Sequence, residues 1–327
     1  MVTFREAKAE DRNAILNLLN QELGESRYFN WKRDESFWEW KYKKNVFGNT
    51  SILVAELDGE IVGTNSYWPW ELIFNGRTLS VKQSCDTVIH HLYQGKGIFT
   101  KMMKKRIENS IENKVDLIFN FPNEKAVYGF LKLEWHYLAK ISWLFKPLRP
   151  IHLLKGIRNE RKADSAEIIH EHKIKADHCF RVYENHINYN GSIQTKKSNK
   201  FFEWRYNQHP FFKYGMCTAQ SGRKEAIAIY CVYVKGSHRE MVVVDVIGSE
   251  ECIFNLFKEI TSTAKRYGVA YVTTVFNPWL MTNGFWKSGF IKLKRKNMVV
   301  LPLNPVFENI ATKYDNWQVS ASMHDAT

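Results

Sequence analysis

The sequence predicts an α/β protein built from two copies of one unit, and three observations carry the prediction. The hexapeptide at residues 37–42 (FWEWKY) returns at 201–206 (FFEWRY), an offset of 164 in a chain of 327 residues. Each copy is followed by the same kind of segment. Residues 51–68 (SILVAELDGEIVGTNSYW) read as strand, Asp-Gly turn and strand. Residues 214–234 (YGMCTAQSGRKEAIAIYCVYV) read as strand, Ser-Gly turn and strand. Shorter matches then follow in the same order: DTVI (86–89) with DVIG (245–248), LIFNFPN (117–123) with VTTVFNP (272–278), and FLKLEW (130–135) with FWKSGF (285–290). Several weak matches in one order outweigh any single one. They divide the chain into an N-terminal unit (1–145), a Pro-containing, basic, strand-poor linker (146–175) and a C-terminal unit (176–327).

Composition narrows the class. A hydrophobic fraction of 44% with 25% charged residues suits a core-forming globular chain. Charges run through the first residues, so no signal peptide is expected. Apolar runs such as ISWLF and MVVV are far too short to span a bilayer. The five cysteines (Cys85, Cys179, Cys217, Cys231 and Cys252) contain no Cys-x-x-Cys spacing. They read as reduced core thiols of a cytoplasmic protein. A net charge of +13 favours acidic partners: phosphorylated cofactors, anionic sugars, anionic membrane or nucleic acid. No zinc-finger or RNA-binding signature accompanies it, which ranks nucleic acid low. The run HEHKIKADHC (170–179) matches no zinc spacing, and no metal is expected. Trp40 and Trp204 occur in both copies, which favours an architectural role. The tail from 315 to 327 (DNWQVSASMHDAT) is polar and Gly-free. The oligomeric state is left open.

One segment belongs to the first copy alone. After DTVI comes HHLYQGKGIFTKMM, whereas DVI is followed by GSEECIFNLF. Residues 78–89 read as a strand, and from Gly97 onward Ile98, Met102, Met103, Ile107 and Ile111 fall at helical spacing. Gln94-Gly95-Lys96-Gly97 is therefore a strand-to-helix turn. Glycines there let the backbone approach a ligand, and the free amides at a helix start favour an anion. Lys96 and Lys101 add positive charge, so a pyrophosphate suits the site. The P-loop spacing is absent, and Thr100 stands where the dinucleotide fingerprint needs its third glycine.

What remains is the short pattern Gln/Arg-x-x-Gly-x-Gly/Ala, present as Gln94-Gly95-Lys96-Gly97-Ile98-Phe99. Together with VDLIFNFPN (115–123) and NEKAVYGFLKLEW (123–135), it resembles the GNAT superfamily of N-acetyltransferases, and more narrowly its tandem members. The resemblance implies two units, each a mixed, mostly antiparallel twisted sheet flanked by helices. It implies acetyl-CoA or another acyl-CoA as cosubstrate. By carry-over, the amides of Gln94, Gly95, Lys96, Gly97, Ile98, Phe99 and Thr100 bind the pyrophosphate. Ile89 and His90 meet the pantetheine by backbone contacts, and Asn123 lies near its arm. Three positions depart from the family pattern. Phe99 replaces Gly or Ala, Phe130 falls where a thiolate-protonating tyrosine stands, and the closing Gly-Phe is Glu134-Trp135.

Thioester aminolysis needs a neutral amine, support for an oxyanion and a proton for the thiolate. Asp86 and His90 share a strand face and are the expected bases. Tyr128 is the nearest hydroxyl to the missing tyrosine, although two helical steps turn it about 200° away. Tyr93 and the product ammonium are other proton sources. The expected acceptor is a small-molecule primary amine, anionic or nucleotide-linked, such as an amino sugar of a surface-polysaccharide precursor. Alternatives are aminoacyl transfer from charged tRNA and a non-catalytic CoA-binding protein. The intact glycine loop argues for CoA over tRNA.

Overall fold

Alternating apolar residues and Asn/Asp-Gly turns fold the N-terminal half into a meander. The computed structural model describes residues 1–24, 32–149, 173–187, 191–235, 238–277 and 284–324. Most of the expected linker, and the first three residues of HEHKIKADHC, lie outside them. Strand β1 (Thr3–Glu6) leads through helix α1 (Arg12–Leu23) to α2 (Glu35–Trp38), which continues as a π-helical turn over Glu39–Lys43. Strands β2 (Ser51–Leu57), β3 (Glu60–Phe74) and β4 (Arg77–Ile89) follow. Their hairpins turn at Asp58-Gly59 and Asn75-Gly76, all four residues at positive φ as tight hairpin turns require. Helix α3 (Ile98–Glu112), β5 (Leu117–Asn120), α4 (Glu124–Leu131) and β6 (His136–Pro147) complete this half.

The C-terminal half runs through the same series. It comprises α5 (Ala176–His186), a short β7 (Gln194–Thr195), α6 (Asn199–Phe202) with its π-turn (Glu203–Asn207), and β8 (Gly215–Ser221). Then come β9 (Lys224–Lys235), β10 (His238–Gly248), α7 (Ile253–Arg266), β11 (Tyr271–Val275), α8 (Gly284–Lys287), β12 (Ile291–Pro302) and α9 (Glu308–Ala311).

Among the described residues, all twelve strands join one mixed, mostly antiparallel sheet of order β1-β2-β3-β4-β5-β12-β6-β11-β10-β9-β8, with β7 added beside β3. The α/β architecture expected from the sequence is thus present. The two halves interlock at its centre: β12 pairs with β5, and β6 pairs with β11. Two neighbours are parallel, β4 with β5 and β10 with β11. In each case the first strand runs on after the pairing stops, and the sheet splays.

One apolar cluster spans both halves on the face that carries α1, α2, α5 and α6. At its centre the indoles of Trp40 and Trp204 stack 5.6 Å apart. Each indole N–H donates to the other's backbone carbonyl at 2.9 Å. The motif read as an anchor is one. The opposite face holds two smaller clusters, under α3 and α4 and under α7. All five cysteines are buried and unbridged.

Candidate functional site

The N-terminal splay opens where β4 leaves β5. Pairing covers Val81↔Leu117 to Gln83↔Phe119 only, while β4 continues to Ile89. His90 N donates to Val62 O at 2.9 Å, which fixes the alternation along β4. Residues bonded to β3 alternate with residues that turn their peptide groups away. The peptide group of Ile89 therefore faces the splay, and its carbonyl accepts from Gln94 Nε2 at 2.9 Å. The amide of His90 differs from the expectation, because β3 already holds it.

The glycine turn leaves its backbone amides open. Gly95 and Gly97 sit at φ +75° and +77°, and a Cβ at either would meet open space. The requirement is conformational, since only glycine adopts this backbone without strain. Gly97 caps α3, and the first intrahelical bond is Lys101 N to Gly97 O at 3.1 Å. The N–H groups of Gly95, Lys96, Gly97, Ile98, Phe99 and Thr100 consequently have no acceptor among the described residues, whereas that of Gln94 departs from the expectation and donates to His91 O at 3.4 Å. Phe99 packs against α4, where a Cβ at Gly129 would lie 2.9 Å from its ring. That contact gives the aromatic at this position a place away from the turn. Asn123 caps α4, its side chain accepting from Ala126 N at 2.9 Å.

The expected bases fare differently. Asp86 is buried at a β-bulge with φ +47°, a strained value for a non-glycine residue. Its carboxylate takes Lys41 Nζ at 2.6 Å and Tyr42 OH at 2.7 Å. Burial, then the charge of Asp86, pushes the Tyr42 hydroxyl well above its ordinary pKa. A carboxylate so held orients its neighbours. Both ring nitrogens of His90 are engaged: Nδ1 accepts from Leu92 N at 3.3 Å, and Nε2 lies 3.3 Å from Gln21 Nε2. Tyr128 is 66% exposed with Lys132 over its ring, so the structure turns it to solvent and away from the splay. Phe130 is buried between Phe99 and Trp135.

The structure brings in one pair that the sequence reading missed. His91 Nδ1 lies 2.8 Å from Glu22 on α1, and the same carboxylate oxygen accepts from His91 N at 3.0 Å. Burial raises the Glu22 carboxyl, but the two hydrogen bonds from His91 outweigh it and hold it below its usual range. An imidazole held at Nδ1 by a carboxylate presents Nε2 as a base. His90 stacks on His91 at 4.4 Å, and Glu22, His90 and His91 bring one donor atom each within 4.8 Å of one another. Nothing at residue 22 links it to the loop in sequence, 69 positions away.

Comparisons with known proteins bear on the fold and on the class of reaction. Residues 3–136 match the family model of the acetyltransferase (GNAT) domain. By that domain the protein is an acyltransferase whose donor is an acyl-CoA. A search of curated proteins by sequence gives no match. Among solved structures, a GCN5-related N-acetyltransferase from Anabaena variabilis superposes with a TM-score of 0.64 at 11% identity, over 93% of this chain and 73% of that one. A probable N-acyltransferase from Enterococcus faecalis gives 0.60 at 11%, with the same coverage. Saccharomyces cerevisiae N-myristoyltransferase, solved with bound myristoyl-CoA, gives 0.55 at 10%, over 92% of this chain and 82% of that one. These likenesses concern the fold. Among the described residues, no helix is long and apolar enough to cross a membrane.

Proposed function

We propose that the protein moves an acyl group, acetyl in the first instance, from acyl-CoA to a primary amine. The chain is read as two GNAT units (1–145 and 176–327) around a linker (146–175), with the donor held by the first. The observation that carries this reading is the run of unbonded amides at 95–100, beside Lys96 and Lys101. They suit a pyrophosphate, with Ile89 offering its peptide group to the pantetheine. The amine attacks the thioester carbonyl, the C–S bond breaks, and the thiolate takes a proton. The acceptor arrives as an ammonium, and His91, oriented by Glu22, takes its proton before attack, directly or through water. With Phe130 at the usual acid position, the thiolate takes the second proton from the protonated nitrogen of the tetrahedral adduct or from water. Asp86 is a positioning residue that fixes Tyr42 and Lys41 under the splay. The acceptor class is an amino sugar on an anionic carrier, supported by the net charge of +13. Five buried, unbridged thiols suit a reducing cytoplasm.

Calorimetric titration with acetyl-CoA tests the donor site. Gly97→Glu places a carboxylate on the cradle and should abolish binding. Because φ +77° also strains any side chain there, the exposed Lys101→Glu is measured beside it and should weaken binding about tenfold. Wild-type protein that is folded yet binds no acetyl-CoA would sink the reading.

A further inference from the structure

The C-terminal half repeats the splay without the glycine loop. β10 pairs with β11 from Glu240↔Tyr271 to Val243↔Thr274, then runs on to Gly248. Its bonds to β9 fix which groups face the gap. Ser249 N donates to Glu225 O at 2.8 Å, and the register pairs Ile247 with Ile227. By alternation, Ile247 bonds to β9, while Val246 and Gly248 turn their N–H and C=O to the open side. Two peptide groups thus form a rail along the gap.

A cavity of about 250 Å³ lies against this rail. Tyr183, His186, Thr195, Gln318 and the buried pair of Lys197 with Asp245 help to line it. The His186 ring bonds through Nδ1 to Val182 O at 3.0 Å, which leaves Nε2 as an acceptor. The rail's end has the opposite charge preference from the N-terminal loop. Ser249, Glu250 and Glu251 follow Gly248, so acids stand where the first half has glycines and a lysine. A Cβ at Gly248 would lie 2.3 Å from Glu225 O, so the close strand contact there needs glycine.

We propose that this cavity binds a small molecule carrying a secondary amide on an uncharged or cationic body, and rejects phosphorylated ones. The ligand's amide turns its N–H or its C=O to the rail and bonds one of the open peptide groups at Val246 and Gly248. The Tyr183 ring supplies an apolar wall, and Gln318, Thr195 and His186 serve hydroxyl or amine groups. The volume lies below the roughly 300 Å³ at which ordinary ligand pockets begin, which suits one acylated amino acid or one acylated amino sugar. The site is remote from the glycine loop. Thr195 pairs with Leu72 on β3, whereas Ile89, before the loop, pairs with Gly63. That length of strand is roughly 30 Å. The site stands whether or not the N-terminal half transfers an acyl group.

Amide NMR and calorimetry of the full chain test it with two probes, N-acetyl-lysine methylamide (cationic) and N-acetylglucosamine (neutral). Saturable binding of at least one, with shifts at Val246 and Gly248, is the expected result. N-acetylglucosamine 1-phosphate should not bind. Gln318→Leu should weaken the bound probe about tenfold, the loss of one hydrogen bond. Should that variant fail to fold, Glu250→Lys at an exposed position still decides the matter. It should weaken the cationic probe about threefold and relieve the exclusion of phosphate. Failure of both probes to bind, shifts confined to residues 89–100, or tighter binding of the phosphorylated sugar would overturn the proposal. Loss of acetyl-CoA binding alone would leave these readouts unchanged.

Discussion

The two splays share a frame and differ in what they do with one cation. In each half a capped turn (Asp34 or Ser198 at its start) leads through a tryptophan to a buried tyrosine. Tyr42 donates to Asp86, and Tyr206 to Asp245, at the bulge where the strands part. Asp86 takes its cation from Lys41, inside the turn. The position 164 residues on is Arg205, which instead holds the tail through the carbonyls of Ser322 and His324. Asp245 is neutralised by Lys197, from just before the turn. Moving the counter-charge one segment upstream releases the turn's own cation to bind the tail. The same frame thus carries a glycine turn with open amides in one half and a polar-lined cavity in the other.

The largest expected effect falls on what the halves share. Trp40→Ala or Trp204→Ala removes a buried indole and a bond to the other half's carbonyl. Each should cost about 3–5 kcal/mol in denaturant unfolding. The double variant should cost less than the sum, because the rings touch. Additive losses would mean that the halves are not coupled through this pair.

Next come the carboxylates. Asp86→Asn and Asp245→Asn each strand a buried lysine, at a cost of about 3–5 kcal/mol. Adding Lys41→Met should recover much of the loss in the first half, and Lys197→Met in the second. Recovery in one half only would break the parallel. For catalysis, His91→Gln should lower kcat on the order of 10²-fold. Glu22→Gln should give a smaller loss, because the imidazole stays and only its orientation is loosened. Unchanged kcat in His91→Gln would assign the base elsewhere.

The frame was legible because it rests on local chemistry: the repeated hexapeptide, the Asp-Gly turn and the two glycines at positive φ each announce themselves in sequence. Tyr128 was readable as turned away, because two helical residues fix that angle. The exchange of β6 and β12 across the centre was not legible. Both strands alternate in the same way wherever they pair, so neighbour choice lives in long-range register. Glu22 escaped for a like reason, since α1 brings it to His91 only once the sheet has formed. Asp86 looked like a base by residue type and strand face, and only burial with Lys41 and Tyr42 shows what occupies it.

The finest contrast sits just after each turn, where one capping task is done by two side chains. Asn45 Oδ1 accepts from Phe47 N at 2.9 Å. At the equivalent position His209 Nδ1 accepts from Phe211 N at 3.2 Å and Phe212 N at 3.1 Å. The amide does not titrate, and the imidazole does. Burial, then the charges of Arg205, Lys41 and Lys213, pushes His209 well below its ordinary pKa. The folded chain therefore keeps it neutral while the unfolded chain protonates it below about pH 6.5. With fewer protons bound in the folded state, its contribution is full above that pH and is lost as pH falls. His209→Asn should lower stability at pH 7, because the ring also packs 4.1 Å from Trp40. It should also flatten the fall in urea midpoint between about pH 7 and 5. Asn45→His should steepen that fall if position 45 is equally dry. An unchanged slope in His209→Asn would place the acid sensitivity of the fold in the carboxylates, with Glu22 and Asp11, both held below their usual range, the next to examine.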